Sequence, residues 1–207
     1  MLGFYNASVI LTYIGLASAV FGITQVFEGR YALVFICLLI SGTCDMFDGK
    51  IARAMKNRTD DEKLFGIQID SLCDLVCFGV FPAVIGYSYG FNYGLGPISA
   101  YLIVQAAVIR LGYFNVTEEK RQRESDEPRK KYQGLPVTTD AMIFPLLYLG
   151  RHNIPKAAFP FVFQGFMVVV SALFILNINV KKLSVKKIIM LFTMAVLIVF
   201  GYFKIKH

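Results

Sequence analysis

The chain has 207 residues, of which 56% are hydrophobic and 17% charged, and carries a net charge of +7. That composition is too apolar for an ordinary water-soluble domain and fits a protein whose solvent is a lipid bilayer. The basic residues crowd into a few loops, as cytoplasmic connectors beside anionic headgroups do, and no nucleic-acid partner is expected.

A helix crosses a hydrocarbon core about 30 Å thick with roughly 20 apolar residues. Seven stretches qualify in chain order: 7–26, 31–54, 66–91, 96–116, 136–150, 157–177 and 186–203. They are joined by short connectors with no Gly/Ser-rich or Pro-rich linker, so a single domain over 1–207 is expected. Residues 1–27 contain no Lys or Arg for a signal-peptide n-region, which predicts that the first stretch remains as a span. The third holds Pro82, where a kink is expected. The fifth is short and opens on "GLPVTTDAM", with Pro136 suited to a first helical turn.

The connector "ARAMKNRTDDEK" carries Arg53, Lys56, Arg58 and Lys63, and "EEKRQRESDEPRKK" carries six more basic residues, whereas "GFNYGLG" has none. Both basic loops are therefore expected on the cytoplasmic side, with Pro128–Gln133 against lipid headgroups. Seven spans then put the carboxyl terminus outside, while the terminal "KIKH" favours the inside; the sequence leaves that conflict open. The four cysteines, Cys37, Cys44, Cys73 and Cys77, all lie in apolar segments and read as reduced packing residues. His152 sits in a connector and His207 at the terminus, so neither is a catalytic candidate.

The second span avoids charge from Tyr31 to Cys44 and then reads "DMFDGKIAR". Asp45 and Asp48 are spaced i, i+3, and beyond the basic loop Asp70 and Asp74 are spaced i, i+4, so each pair shares one helix face. A short connector would bring the two pairs together at one membrane edge. An unneutralised Asp at a helix centre costs on the order of 2.5 to 3.5 kcal/mol on insertion scales, so a clustered set needs a cation. Hard divalent ions such as Mg2+ or Mn2+ prefer carboxylate oxygens, and two of them about 3.5 to 4 Å apart suit an in-line phosphoryl displacement. Gly49 and Gly66 remove side chains where a nucleotide would approach, and Arg53 offers a planar fork to a diphosphate. Taken singly, each of these residues also has a structural reading, as interfacial Asp, snorkelling Arg or packing Gly.

The two segments "DMFDGKIAR" and "GIQIDSLCD" resemble the signature of the CDP-alcohol phosphotransferase family, D-x-x-D-G-x-x-A-R followed by G-x-x-x-D-x-x-x-D. All eight signature positions are filled, by Asp45, Asp48, Gly49, Ala52, Arg53, Gly66, Asp70 and Asp74. Twelve residues separate Arg53 from Gly66 where eight is usual, which predicts a longer cytoplasmic loop within "NRTDDEK". Within the family, "DSLCDLVCFGVFPA", "IRLGYFNV" and "YQGLP" are similar to bacterial integral-membrane phosphatidylserine synthases, except that Tyr113 stands where those enzymes commonly have a basic residue. The resemblance implies an all-α polytopic bundle with a six-helix core plus one or two extra helices. It also implies a homodimer in the bacterial cell membrane with its site at the cytoplasmic side.

The resemblance further implies that Asp45, Asp48, Asp70 and Asp74 hold two divalent cations, that Asp74 is the general base, and that Gly49, Ala52, Arg53 and Gly66 cradle the CDP group. The activity it implies is transfer of the phosphatidyl group of CDP-diacylglycerol to L-serine, with a sister enzyme acting on glycerol phosphate, inositol phosphate or another alcohol as the alternative. Asn6 and Thr43 are candidates for hydrogen bonds to the cytosine or ribose, with a helix cap as the other reading of Asn6. Arg110 and Asn115 are candidates for recognising the acceptor's carboxylate; the other reading of Arg110 is an ion pair with Asp140 or snorkelling. A cation transporter, in which intramembrane acids bind the cargo, is the rival from another class.

Overall fold

Asn6 starts the first helix by capping it: Oδ1 accepts the Val9 N–H at 3.1 Å and the Ser8 hydroxyl at 2.9 Å. Such a cap contributes ~1 kcal/mol. The computed structural model describes residues 3–55, 58–90, 96–124 and 131–181. Helix α1 (Ala7–Phe27) ends in a Schellman motif, with Arg30 N–H on the Gln25 carbonyl and Gly29 N–H on that of Val26. Gly29 occupies the left-handed region at φ +70°, which glycine adopts without strain. The reversal lays α2 (Tyr31–Ala54) back along α1. Small residues let the two backbones close: a Cβ on Gly15 would stand 3.1 Å from that of Cys44, and one on Gly22 only 2.9 Å from that of Cys37.

Helix α3 (Asp60–Asp74) opens on a capping box between Thr59 and Glu62, and Asp60, Asp61 and Glu62 put negative charge on its first turn, where the helix dipole favours it. The chain then widens into a π-helical turn, Leu75–Val80, and continues as α4 (Phe81–Gly90). Pro82 gives the physical reason. A proline lacks the N–H of an i to i−4 bond and its ring presses on the carbonyl of that turn. A wider turn just before it relieves both, so the expected disturbance takes the form of a π turn immediately after Asp74.

Helix α5 (Gly96–Glu124) packs on α3, α4 and α7 (Phe159–Ile175), and α6 (Asp140–Leu149) packs on α2. The core is aromatic, with Phe35, Phe78, Phe81, Phe144, Phe163 and Phe174 fully buried and Phe144 stacked on Phe163 at 5.2 Å. Gln164 is buried among them and satisfied: its Nε2 donates to the Gly86 carbonyl at 2.6 Å and its Oε1 accepts from the Ser99 hydroxyl. Large apolar side chains also point outward, including Ile10, Ile14 and Phe21 on α1, Tyr101, Val108 and Ile109 on α5, and Phe161, Val168 and Val169 on α7. Such a surface suits lipid and not water.

The fold is a helical membrane bundle, and among the described residues four helical stretches are long and apolar enough to cross a bilayer: Ala7–Phe27, Tyr31–Ala54, Asp60–Tyr89 and Gly96–Arg121. The predicted span 157–177 appears as the shorter apolar helix α7. The predicted span 136–150 is built differently: α6 has ten residues, about 15 Å of helix, flanked by 3-10 turns at Val137–Thr139 and Gly150–Asn153. The seventh, 186–203, lies outside the described residues, as do Pro128–Lys130 of the basic run. Lys131–Gln133 of that run forms strand β1, paired antiparallel with β2 (Asn179–Lys181) with Lys131 opposite Lys181. This small ribbon joins the segment after α5 to the one after α7, and the helical pattern gave no sign of it.

Candidate active site

The short connector between Ala54 and Asp60 lets the chain reverse so that α3 packs on α1 and α5, and this brings its acids to Asp45 of α2. One carboxylate oxygen each from Asp45, Asp70 and Asp74 lies within 4.8 Å of the others. None of the three forms an ion pair with Lys or Arg among the described residues, and Asp70 Oδ1 is buried without a hydrogen-bond partner. Three like charges inside a helical bundle, with an orphaned oxygen among them, fit a hard divalent cation, and the all-oxygen donor set fits Mg2+ or Mn2+ and not a soft metal. Cys73 and Cys77 are buried free thiols beside this group, in keeping with packing.

Asp48 neighbours that trio without belonging to it. It is 4% exposed, and its Oδ2 accepts the hydroxyl of Thr12 of α1 at 2.6 Å. This sets Asp48 in the wall of a pocket that opens beside the acids. Gly49, Ala52 and Arg53 of α2, Gly66 and Asp70 of α3, and Ser8, Val9 and Thr12 of α1 line it, and α5 contributes Phe114, Glu118 and Arg121. Six of the eight signature residues thus face one cavity, and Asp70 belongs both to this cavity and to the carboxylate trio. Arg53 folds back over the bare backbone of Gly49, with Nη1 3.4 Å from where a Cβ would stand. The pocket therefore offers guanidinium on one wall and carboxylate on another, the division of labour needed to hold a diphosphate beside a metal.

The other candidates are placed elsewhere. Asn6 caps α1, with its Nδ2 buried and unpartnered, and the Thr43 hydroxyl donates to the Leu39 carbonyl at 2.7 Å; neither lines the pocket. Asn115 reaches α3, where its Oδ1 accepts from Ser71 at 2.5 Å and its Nδ2 donates to Gln68 at 3.2 Å. Five residues earlier on α5 and about 140° around its axis, Arg110 lies instead against Gly134. Asp140 is 0% exposed and both its oxygens lack a hydrogen-bond partner, so Arg110 does not hydrogen-bond to it. His152 belongs to the 3-10 turn Gly150–Asn153, and His207 lies outside the described residues.

Sequence reasoning missed Thr12, Ser8, Arg121 and Phe114. The signal for the first two was present: two small polar residues spaced i, i+4 in the first turns of an apolar helix mark a face that meets something polar. Thr12→Val keeps the shape but leaves Asp48 Oδ2 without its donor. A hydrogen bond to a charged group contributes about 1.5 to 3 kcal/mol to stability, so the thermal midpoint should fall by several degrees, and turnover should fall with the loosened Asp48. Calorimetry and a kinetic assay on the same preparation check this.

A family model described as CDP-alcohol phosphatidyltransferase matches residues 5–199. The chain is 36% identical over 126 residues to a CDP-diacylglycerol–serine O-phosphatidyltransferase of Saccharomyces cerevisiae, covering 59% of this chain and 44% of that protein. It is 32% identical over 179 residues to one of Helicobacter pylori, covering 81% and 71%. An archaetidylserine synthase of Methanothermobacter thermautotrophicus is 29% identical over 181 residues, covering 84% and 69%. The match thus spans less than half of the yeast relative's length and about 70% of the other two.

Proposed function

Because the chain belongs to the CDP-alcohol phosphatidyltransferase family, we propose that it transfers the phosphatidyl group of CDP-diacylglycerol to the hydroxyl of L-serine and releases CMP. The observation that carries this reading is the sharing of Asp70 between a carboxylate trio and a pocket lined by guanidinium and glycine. The names of the relatives, three of which act on serine or make a serine lipid, supply the acceptor.

Asp45, Asp70 and Asp74 would hold divalent cations, with Asp48 as a fourth ligand for a pair of Mg2+ or Mn2+ ions. When bound, such ions neutralise the charge that builds on the diphosphate. Gly49, Ala52 and Gly66 let the nucleotide approach the helix backbones, and Arg53 binds its phosphates. Asp74 takes the proton from the serine hydroxyl. The freed oxygen forms a bond to the phosphorus bearing the diacylglycerol, the bond from that phosphorus to the CMP oxygen breaks, and CMP departs with the electron pair. Asn115, bonded to Ser71 and Gln68 of α3, remains a candidate for orienting the acceptor, whereas Arg110, turned toward Gly134, does not share its face. The basic connectors favour a site at the cytoplasmic face, and the family resemblance favours a bacterial cell membrane and a homodimer.

Purified protein supplied with CDP-diacylglycerol and Mg2+ or Mn2+ should release CMP with serine and not with glycerol phosphate or an inositol phosphate. Release with glycerol phosphate alone would move the assignment to a sister enzyme, and metal-dependent ion flux without CMP would move it to a transporter. Chelation with EDTA should reduce CMP release to background, and adding back Mg2+ or Mn2+ should restore it.

A further inference from the structure

Arg58 comes from the stretch by which this chain exceeds the family's usual spacing between Arg53 and Gly66. Sequence alone marks it as one more positive charge in a cytoplasmic loop. The structure places it elsewhere. Helix α3 begins at Asp60, six residues before Gly66, so part of the extra length is helical and Arg58 falls at the mouth of the site. From there its side chain turns inward: Nη2 donates to the Glu62 carbonyl at 3.0 Å and Nη1 to the Ala52 carbonyl at 3.4 Å. A Cβ on Gly66 would stand 2.7 Å from Nη2, so the guanidinium rests on the helix backbone that the signature glycine leaves bare.

Three features set this guanidinium apart from a solvated loop charge. It lines the same pocket as Arg53, Gly49 and Asp70. Its Nε is buried and has no hydrogen-bond partner. None of its nitrogens meets a carboxylate among the described residues, whereas Lys63 and Arg121 in the same wall are neutralised by Asp60 and Glu118 at 3.0 and 2.6 Å. A partly buried cation without a counter-charge, which spends two of its five N–H donors on backbone carbonyls and keeps three, the buried Nε–H among them, is arranged to receive an anion from outside the chain.

We propose that Arg58 is a second diphosphate-binding residue of the donor site, facing Arg53 across the pocket and closing on the nucleotide's phosphates over Gly66. The inference rests on the reading of the pocket as the CDP site. A planar fork with free donor capacity takes two oxygens of one phosphate group, a geometry that lysine cannot reproduce. The residue then determines affinity for the donor and leaves the acceptor and the proton transfer to other groups.

The test is calorimetric titration of the purified full-length protein in detergent with Mg2+, using CDP and cytidine as probes. Wild type should bind CDP. Arg58→Ala should weaken CDP binding at least tenfold while leaving cytidine binding unchanged, and Arg58→Lys should recover only part of the loss. In turnover assays the KM for CDP-diacylglycerol should rise by a similar factor, with the KM for serine and kcat within about twofold of wild type. Equal CDP affinity in wild type and Arg58→Ala would overturn the inference. So would an equal loss for CDP and cytidine, because a brace that merely holds Ala52 and Glu62 in place would act on the whole nucleotide. If Arg58→Ala fails to fold, Arg58→Gln serves, since its amide can reach one carbonyl but carries no charge; unchanged CDP affinity in that variant overturns the inference equally. Failure of wild type to bind CDP at all would instead remove the pocket reading on which the inference stands.

Discussion

Asp74→Asn should reduce CMP release by about 10^3-fold or more while the protein remains folded. General-base catalysis contributes roughly 10^2- to 10^4-fold, and this residue also belongs to the carboxylate trio proposed to bind metal. The amide has the same shape, so packing at this buried position, beside Ser71 and the π turn, is preserved. Its removal also takes one negative charge out of a crowded buried set, which predicts a midpoint of thermal unfolding equal to or above that of the parent in metal-free buffer. Circular dichroism and a CMP assay on one sample measure both. Activity within threefold of the parent would end the assignment of Asp74 as base, whatever became of the other acids.

Gly22→Leu should produce the largest loss of stability. A Cβ at this position would overlap the ring tip of Phe81 and stand 2.9 Å from the Cβ of Cys37, and both neighbours are buried in the core. Neither can yield: one is a fully enclosed aromatic ring, the other an atom next to the α2 backbone. Overpacking of this kind costs typically 1 to 3 kcal/mol and occasionally more, and here α1, α2 and α4 must all separate. The expected result is a thermal midpoint lower by many degrees, or no monodisperse protein in detergent. Gly165→Ala on α7 is the control, because nothing lies within 4 Å of the new methyl and alanine favours helix by about 1 kcal/mol over glycine. A Gly22→Leu variant as stable as the control would show that α1 and α2 do not approach as described.

The carboxylates were legible because their spacing is local. Asp70 and Asp74 share a face by helix geometry alone, and the signature supplied the partner helix. Thr12 was not legible as a partner of Asp48, since the two are 36 residues apart and meet only once α1 has packed on α2. Arg58 was legible as charge but not as a pocket residue. Its position depends on where α3 starts, and that is fixed by the Thr59–Glu62 capping box, a local signal inside the loop that the span pattern ignores. Pro82 announced a disturbance of the third span without saying which of several backbone responses would follow. The β1–β2 ribbon joins three-residue segments 46 to 50 positions apart, too short for strand periodicity to register.

The π turn after Asp74 divides one long rod into two angular settings. Each π turn inserts a residue beyond the α-helical count and so rotates everything downstream by about 100° about the axis. Upstream, that setting directs Asp70 and Asp74 toward Asp45; downstream, it directs Phe81 and Ile85 into the aromatic interior. A regular helix through residues 75–80 could satisfy one of these orientations only by surrendering the other. The wide turn thus acts as a gear between chemistry and packing: it takes up one residue more than an α turn holds, and deleting one residue there would leave a regular helix with both halves still in phase.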